Sequence, residues 1–202
     1  MDKPELNPEF IQRRLEGYSY SYQNRTDDRI TIQEEKVLRR AAVLMPLFIN
    51  QDSWHLLFIH RSNTIEEHQG QVAFPGGVKD RDDGSLWATA LREAQEEVGL
   101  DPGDVTLFGG LEDHPVITGY LVRPFVGMIP WPYDLRISNE EVETVFSIPL
   151  SWLQKSEHRE ERQRQYEGRD INVTYFQPYQ GHLLWGASAE MTLTLLSVLG
   201  LI

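Results

Sequence analysis

The segment from residue 85 to residue 100 is the clearest helix in this sequence, and it limits what the rest of the chain can fold into. Ser85 is a good N-cap residue, and Gly99 stands where a glycine commonly follows the last helical turn. Apolar residues recur at helical spacing on one face: Ala90, Leu91, Ala94 and Val98. These residues are small and apolar, so the helix can pack closely against a neighbouring layer.

The same helix carries three acidic residues that local helix preferences do not favour. Glu93 and Glu97 are four residues apart and Glu96 is three from Glu93, so the side chains share one side and repel one another. They also lie in the last turns, where the helix dipole disfavours anions. A divalent cation would remove both penalties, because magnesium prefers such oxygen ligands. The alternative interpretation is a solvated acidic helix end that binds nothing.

Extended and helical patterns are mixed in the rest of the chain. Two apolar segments, 41–49 and 54–59, are separated by a polar turn and predict a β-hairpin. Further strands are predicted at 71–74, 105–108, 120–129, 145–148 and 173–176, and further helices at 8–17, 149–153 and 187–199. A helical turn is predicted at 140–145, and the polar segment 155–170 is predicted to be a loop. Because strands and helices do not alternate regularly, the predicted fold class is α+β, with a mixed sheet between helices.

Composition and charge exclude several classes of function. The chain of 202 residues has no cysteine, so disulfides, thiolate metal sites and thiol nucleophiles are excluded. A net charge of −12 without a dense basic run argues against a nucleic-acid partner. No apolar run reaches the roughly 20 residues that span a bilayer, and the first residues lack the apolar core of a signal peptide. We therefore expect a cytoplasmic protein without a membrane partner.

A glycine-rich segment precedes the acidic helix and completes a recognisable pattern. Five residues separate Gly77 from Asp83, and eight more lead to Arg-Glu-Ala-Gln-Glu-Glu-Val-Gly-Leu at 92–100. These residues resemble the Nudix box, which is a glycine, five residues, an acid, seven residues and Arg-Glu-aliphatic-x-Glu-Glu-x-Gly-aliphatic. In this chain the loop is one residue longer, and Asp83 stands where the pattern usually has glutamate.

The segment before the box is similar to an additional signature of the coenzyme A diphosphatases within the Nudix superfamily. It comprises Arg61-Ser62 and the stretch from His68 through Gly70-Gln71-Val72-Ala73-Phe74-Pro75-Gly76-Gly77. Glu66 departs from that signature, which usually has a basic residue two positions before the histidine. The resemblance covers about residues 39–200. The expected organisation is an N-terminal arm with a short helix, residues 1–38, followed by a Nudix hydrolase domain, residues 39–202.

The resemblance implies a fold, a cofactor and roles for the residues of the box. The family fold is a mixed β-sheet between helices, in which the box forms a catalytic loop-helix-loop. Glu93 and Glu97 would bind Mg²⁺ or Mn²⁺, and Glu96 would bind a second ion or act as a base through a bound water. Arg92 would orient a glutamate of the helix through charge-assisted hydrogen bonds. The backbone carbonyl of Gly77 would add a metal ligand.

Five further residues are candidates for contact with substrate or metal. Arg61, His68, Gly76 and Lys79 are the candidate substrate-binding residues, and Glu141 is a candidate extra carboxylate. Each also has a structural interpretation. A lone histidine is often satisfied by backbone groups, a lone arginine or lysine often lies at the surface, paired glycines often form a plain turn, and an acid often starts a helix.

The sequence leaves several functions open. The leading hypothesis is hydrolysis of coenzyme A or acyl-CoA to 3′,5′-ADP and 4′-phosphopantetheine or its acyl form. The nearest alternative is another nucleoside diphosphate derivative, such as ADP-ribose or a dinucleotide, which Glu66 favours. A catalytically silent Nudix-fold binding module and an acidic calcium-binding protein are alternatives from other classes. The expected partner is a small-molecule nucleotide, and analogy with the family allows a homodimer.

Overall fold

The two apolar segments of the predicted hairpin form the centre of a mixed β-sheet. The computed structural model describes residues 4–23, 38–62, 70–166 and 168–202. In it the two segments are β1 (Arg39–Asn50) and β2 (Ser53–Arg61). They run antiparallel, with Asn50 opposite Ser53 across the turn, which confirms the hairpin. Both strands are apolar along most of their length, so both faces of the sheet can be covered by helices.

Six further strands extend this sheet. They are β3 (Val72–Ala73), β4 (Gly76–Val78), β5 (Thr106–Gly110), β6 (His114–Val116), β7 (Tyr120–Met128) and β8 (Val142–Pro149). The main path is β3-β2-β1-β7-β5, with β4 paired to β1, β6 to β7 and β8 to β2. The β1–β7 pair is parallel, and the other pairs described for this sheet are antiparallel. The sheet is therefore mixed, as predicted.

Helices cover both faces of the sheet, which confirms the α+β class. Their bounds are α1 (Pro8–Gln23), α2 (Leu86–Val98), α3 (Leu150–Leu153) and α4 (Gly186–Val198), with 3₁₀ turns at Pro102–Asp104 and Ser156–His158. Successive side chains of a strand point to opposite faces of the sheet, so each face has its own apolar cluster. Met45 of β1 lies in one cluster with residues of α1 and α4, whereas Leu44 lies in the other with residues of α2. None of the described helices is long and apolar enough to cross a membrane.

The ends of α2 are set by the residues that the sequence indicated. The Ser85 hydroxyl accepts a hydrogen bond from the Ala88 N–H, which satisfies a free amide of the first turn. Gly99 adopts the left-handed conformation with φ of 69°, which glycine takes without strain. Three apolar positions of α2 are completely buried against the sheet: Ala90, Ala94 and Val98. Leu91 lies at the edge of this face and is only partly buried.

The polar segment predicted as a loop instead forms a second, two-stranded sheet. Strand β9 (Arg159–Tyr166) pairs antiparallel with β10 (Arg169–Phe176). The β9 side chains are mostly exposed on both faces, so the alternation of apolar and polar residues that marks a strand is missing. The prediction was wrong because backbone pairing alone, rather than burial of one face, defines this strand.

Two shorter predictions also need correction. The alternation of Tyr18, Tyr20 and Tyr22 in the sequence predicts an exposed strand or a dimer contact. The strand is wrong, because α1 continues to Gln23, whereas the dimer contact stays a prediction. This helix begins next to Asn7, whose side chain accepts from the Phe10 N–H, and Tyr18 packs against the core. A helical turn is predicted at 140–145, but the turn in the structure ends at residue 141. The rest of that segment belongs to β8, which starts at Val142.

Candidate active site

The acidic helix meets the sheet at the two glycines of β4. Gly77 pairs with Ala42 of β1, and Gly76 pairs with Val43. A Cβ atom added at Gly77 would lie 2.5 Å from the carboxylate carbon of Glu93. The missing side chain of Gly77 therefore leaves the space in which the Glu93 carboxylate rests on the strand backbone.

Glu97 is the most enclosed acidic residue of the site, with no exposed surface. Its Oε2 accepts a hydrogen bond of 2.9 Å from the Gly76 N–H, and its Oε1 lies 3.0 Å from Nη1 of Arg61. Burial raises the pKa of Glu97 to about 7, although Arg61 and the Gly76 N–H oppose this rise. The neighbouring charges of Glu93 and Glu141 raise it further. A neutral side chain at position 97 would avoid the cost of burying a carboxylate. Folding alone therefore does not explain why this residue is a glutamate.

Glu93 lies beside Glu97 on the same side of α2 and is also largely buried. Burial raises the pKa of Glu93, and this effect outweighs the opposing hydrogen bond from Arg92. Nη1 of Arg92 lies 2.8 Å from Glu93 Oε1 and 3.0 Å from Glu96 Oε2. The Glu96 side chain is 57% exposed, so the three glutamates differ: two face the sheet and one faces solvent.

Arg92 also binds the loop between β4 and α2 to the helix through hydrogen bonds. Its Nε and Nη2 each lie 3.0 Å from an oxygen of Asp83, whose carboxylate also accepts from the Thr89 hydroxyl and the Asp80 N–H. These hydrogen bonds, those from Arg92 foremost, hold the pKa of the Asp83 carboxyl well below its usual range. Sequence reasoning alone assigns Asp83 no role in the site. Its position, with five residues between it and Gly77 as in the box, was the available signal.

The segment before β8 brings a fourth carboxylate to the site. The Ser138 N–H donates to the backbone carbonyl of Glu97, and the carbonyl of Glu141 accepts from the Ser62 N–H, both at 2.9 Å. These bonds fix residues 138–141 between the end of α2 and the end of β2. The charge of Glu141 raises the pKa values of both Glu93 and Glu97, so this carboxylate lies within electrostatic reach of the pair.

The structure gathers most of the residues that the sequence indicated. It brings together Glu93, Glu97, Gly76, Gly77, Arg61 and Arg92, with Glu96 at the rim and Glu141 close by. Lys79 stands apart, because its Nζ donates to the backbone carbonyls of Asp80 and Asp83 within the loop. His68 and Glu66 lie outside the described residues.

The chemistry of this donor set fits a magnesium or manganese ion. Within the described ranges, no three histidine, aspartate or glutamate side chains are already arranged around one point as a metal cage. Arginines and the Gly76 amide instead satisfy the glutamates. The carboxylates are nevertheless hard oxygen donors that raise one another's pKa values, and a glycine backbone lies directly against one of them. A divalent cation would relieve this repulsion.

The fold and the site together define a class of protein. It is an α+β protein in which a mixed sheet carries an acidic loop-helix-loop on one face, with carboxylates suited to a divalent cation.

Comparison with known proteins identifies the family. The model described as NUDIX domain matches residues 38–169, so the chain belongs to the Nudix family. It is 41% identical over 151 residues to the Uncharacterized Nudix hydrolase NudL of Enterobacter sp. (strain 638), covering 75% of this chain and 78% of that protein. It is 42% identical over 153 residues to the NudL of Photorhabdus laumondii, covering 76% and 81%. The protein is therefore a Nudix hydrolase of a nucleoside diphosphate derivative.

A solved structure shares the fold over nearly the whole chain. The MutT/nudix family protein from Enterococcus faecalis superposes with a TM-score of 0.54 at 16% sequence identity. The match covers 96% of this chain and 78% of that one. At this identity the likeness shows the fold alone.

Proposed function

We propose that this protein uses Mg²⁺ or Mn²⁺ to hydrolyse the diphosphate linkage of coenzyme A or acyl-CoA. The products are 3′,5′-ADP and 4′-phosphopantetheine or its acyl form. The observation that supports metal dependence is a pair of carboxylates one helical turn apart: Glu97 is fully buried against Gly76, and Glu93, 15% exposed, rests against Gly77. Burial raises the pKa values of both carboxyl groups, and this cost is expected at a site built for a cation rather than for folding.

The chain's own residues divide the chemistry between them. Glu93, Glu97 and the Gly77 carbonyl would hold the ion, which would supply positive charge to neutralise the phosphoryl oxygens and to activate water as a nucleophile. Glu96 faces solvent at the rim and accepts a proton from the attacking water. Arg92 keeps Glu93 and Glu96 in place. Glu141 supplies a further carboxylate on the side of β8.

The coenzyme A assignment rests on the signature that precedes the box. Two of its residues, Arg61 and Gly76, both donate hydrogen bonds to Glu97, so part of the signature supports the metal site. Glu66 favours a second candidate, hydrolysis of ADP-ribose or a dinucleotide. An acidic residue at this position would repel the 3′-phosphate that distinguishes coenzyme A from those substrates.

A substrate panel tests the proposal. Coenzyme A, acetyl-CoA, ADP-ribose, NADH and diadenosine polyphosphates are incubated with Mg²⁺ or Mn²⁺, and the products are separated by chromatography. We expect 3′,5′-ADP from coenzyme A and a loss of kcat/KM of more than about a hundredfold in Glu97→Gln. Glu157→Gln, which removes one exposed charge in the 3₁₀ turn Ser156–His158, is the matched control.

The possible results test the substrate, the metal site and the catalytic activity separately. AMP from ADP-ribose or a dinucleotide, without cleavage of coenzyme A, would retain the metal chemistry and replace the substrate. Full activity in Glu97→Gln would contradict the site. Circular dichroism shows whether Glu97→Gln is folded. If it is not, Glu93→Gln provides a second test of the site. No turnover of any substrate by the wild type would favour a binding module.

A further inference from the structure

Arg61 ends β2 on the face of the sheet that carries α2. Leu57 and Ile59 of the same strand lie in the apolar cluster beneath α2, and the contact of Arg61 with Glu97 of α2 places its side chain on that side as well. Its side chain is 20% exposed, and its Nη1 donates to Glu97 Oε1 at 3.0 Å. The Arg61 Nε is buried, and none of the described residues accepts a hydrogen bond from it. Much of the guanidinium is therefore enclosed beside Glu97, and little of it faces solvent.

The two oxygens of Glu97 are held by donors from two different strands. Arg61 at the end of β2 donates to Oε1, and the backbone of Gly76 in β4 donates to Oε2. A carboxylate oxygen has two acceptor positions, and the described residues supply one donor to each. The two bonds fix the plane of the carboxylate while leaving acceptor positions for another ligand.

The cationic partners of the site are divided between the glutamates. Arg92 contacts Asp83, Glu93 and Glu96, whereas Arg61 forms the ion pair with Glu97. Glu97 has no exposed surface, and a buried carboxylate that loses its cationic partner is strongly unfavourable. Removing Arg61 would therefore release the Glu97 carboxylate from its position.

We propose that Arg61 is a positioning residue that holds the Glu97 carboxylate in the orientation needed for metal binding, and that it does not bind the substrate. This inference rests on the proposed function, in which Glu97 is a metal ligand. It replaces the substrate-binding role expected from the sequence. Residues that orient a metal ligand commonly change metal affinity by about 10–100-fold when they are substituted.

The two roles of Arg61 predict different measurements. A positioning residue affects the affinity for Mn²⁺ in the absence of any substrate, whereas a substrate-binding residue affects the KM for the nucleotide. We therefore measure Mn²⁺ binding by the electron paramagnetic resonance signal of the free ion, and separately measure kcat and KM for the best substrate. The variants are Arg61→Met, Arg61→Lys and, as the matched control, Arg136→Met, whose side chain is 82% exposed.

We expect Arg61→Met to weaken Mn²⁺ binding by at least about tenfold and to lower kcat, with KM for the nucleotide changed less than about twofold. Arg61→Lys should recover part of the Mn²⁺ affinity, because one ammonium donor can still reach Glu97. The control should bind Mn²⁺ as the wild type does. An unchanged Mn²⁺ affinity in Arg61→Met together with a raised nucleotide KM would overturn the inference.

A double-variant cycle shows whether Arg61 acts through Glu97. In the Glu97→Gln background, Arg61→Met should cause no further loss of Mn²⁺ affinity, because the group that it positions is gone. Equal losses in both backgrounds would contradict the inference. If Arg61→Met does not fold, the Arg61→Lys and Arg61→Lys/Glu97→Gln pair gives the same comparison. Failure of the proposed function has a separate signature, since Glu97→Gln would then bind Mn²⁺ as tightly as the wild type.

Discussion

Gly76 and Gly77 are adjacent in β4 but meet different neighbours. A Cβ atom at Gly77 would approach the terminal atoms of the Glu93 side chain within 2.5–2.6 Å. At Gly76 it would instead approach backbone atoms of β1, at 2.4 Å from the Ala42 carbonyl oxygen and 2.6 Å from Val43 Cα. A side chain can rotate away at small cost, whereas paired strand backbone cannot.

The first prediction therefore compares these two glycines. Gly77→Ala should fold with a Tm close to that of the wild type, but with Glu93 displaced and kcat/KM lowered by about tenfold or more. Gly76→Ala should lose stability by about 1–3 kcal/mol, because the added methyl group separates β4 from β1. Thermal unfolding and steady-state kinetics on both variants provide the test. A Gly77→Ala protein with normal activity would show that the site tolerates movement of Glu93.

At the level of elements, the loop 79–85 and helix α2 form one unit. The Asp83 carboxylate is buried and accepts from Arg92, Thr89 and the Asp80 amide, so it connects the loop to the first two turns of the helix. The Lys79 ammonium closes the same loop from its other end by donating to the Asp83 carbonyl. This unit holds Arg92 at a fixed position beside Glu93 and Glu96.

The second prediction concerns this connection. Asp83→Asn removes the charge that binds Arg92 and should lower the free energy of unfolding by about 2 kcal/mol at pH 7. The freed Arg92 should also pair more closely with Glu93 and weaken Mn²⁺ binding. Asp82→Asn, one residue earlier and exposed, is the control that should change neither quantity. Urea denaturation and Mn²⁺ titration measure the two effects, and equal stability of the two variants would contradict the connection.

At the level of the whole molecule, Asp113 joins parts of the chain that are distant in sequence. It precedes β6 and receives hydrogen bonds from Arg40 of β1 and Arg123 of β7. Burial alone would raise the pKa of Asp113, but the bonds from Arg123 and Arg40 outweigh this effect and lower that pKa below its usual value. Ionised Asp113 therefore stabilises the arrangement of the sheet.

The third prediction is the pH dependence of this stabilisation. The pKa of Asp113 is lower in the folded chain than the roughly 3.9 of an unfolded aspartate, so its contribution is complete above that value and is lost as pH falls through the folded pKa. Asp113→Asn should destabilise the protein by about 1–2 kcal/mol at pH 7, and the difference should shrink towards pH 3. Urea denaturation at several pH values measures it. Asp134→Asn, with an 89% exposed side chain, should match the wild type throughout.

The sequence by itself determined the elements whose signals are local. Helix α2 follows from a cap, an apolar face and a terminal glycine, all within sixteen residues, and the hairpin β1–β2 follows from two apolar segments around a turn. The acidic pattern on α2 was equally visible, because residues three and four apart share one side of any helix. Such signals depend on backbone propensity and periodicity, which neighbouring residues fix without reference to the remainder of the chain.

Tertiary structure alone decided which groups meet. Arg61 reaches Glu97 across 36 residues of sequence, and Glu141 approaches the same site from the segment before β8. The polar strand β9 likewise exists only because β10 pairs with it. Such contacts depend on strand register and on which face of the sheet each side chain enters. Register is set by burial summed over the whole fold, so no short stretch of this sequence carries that information.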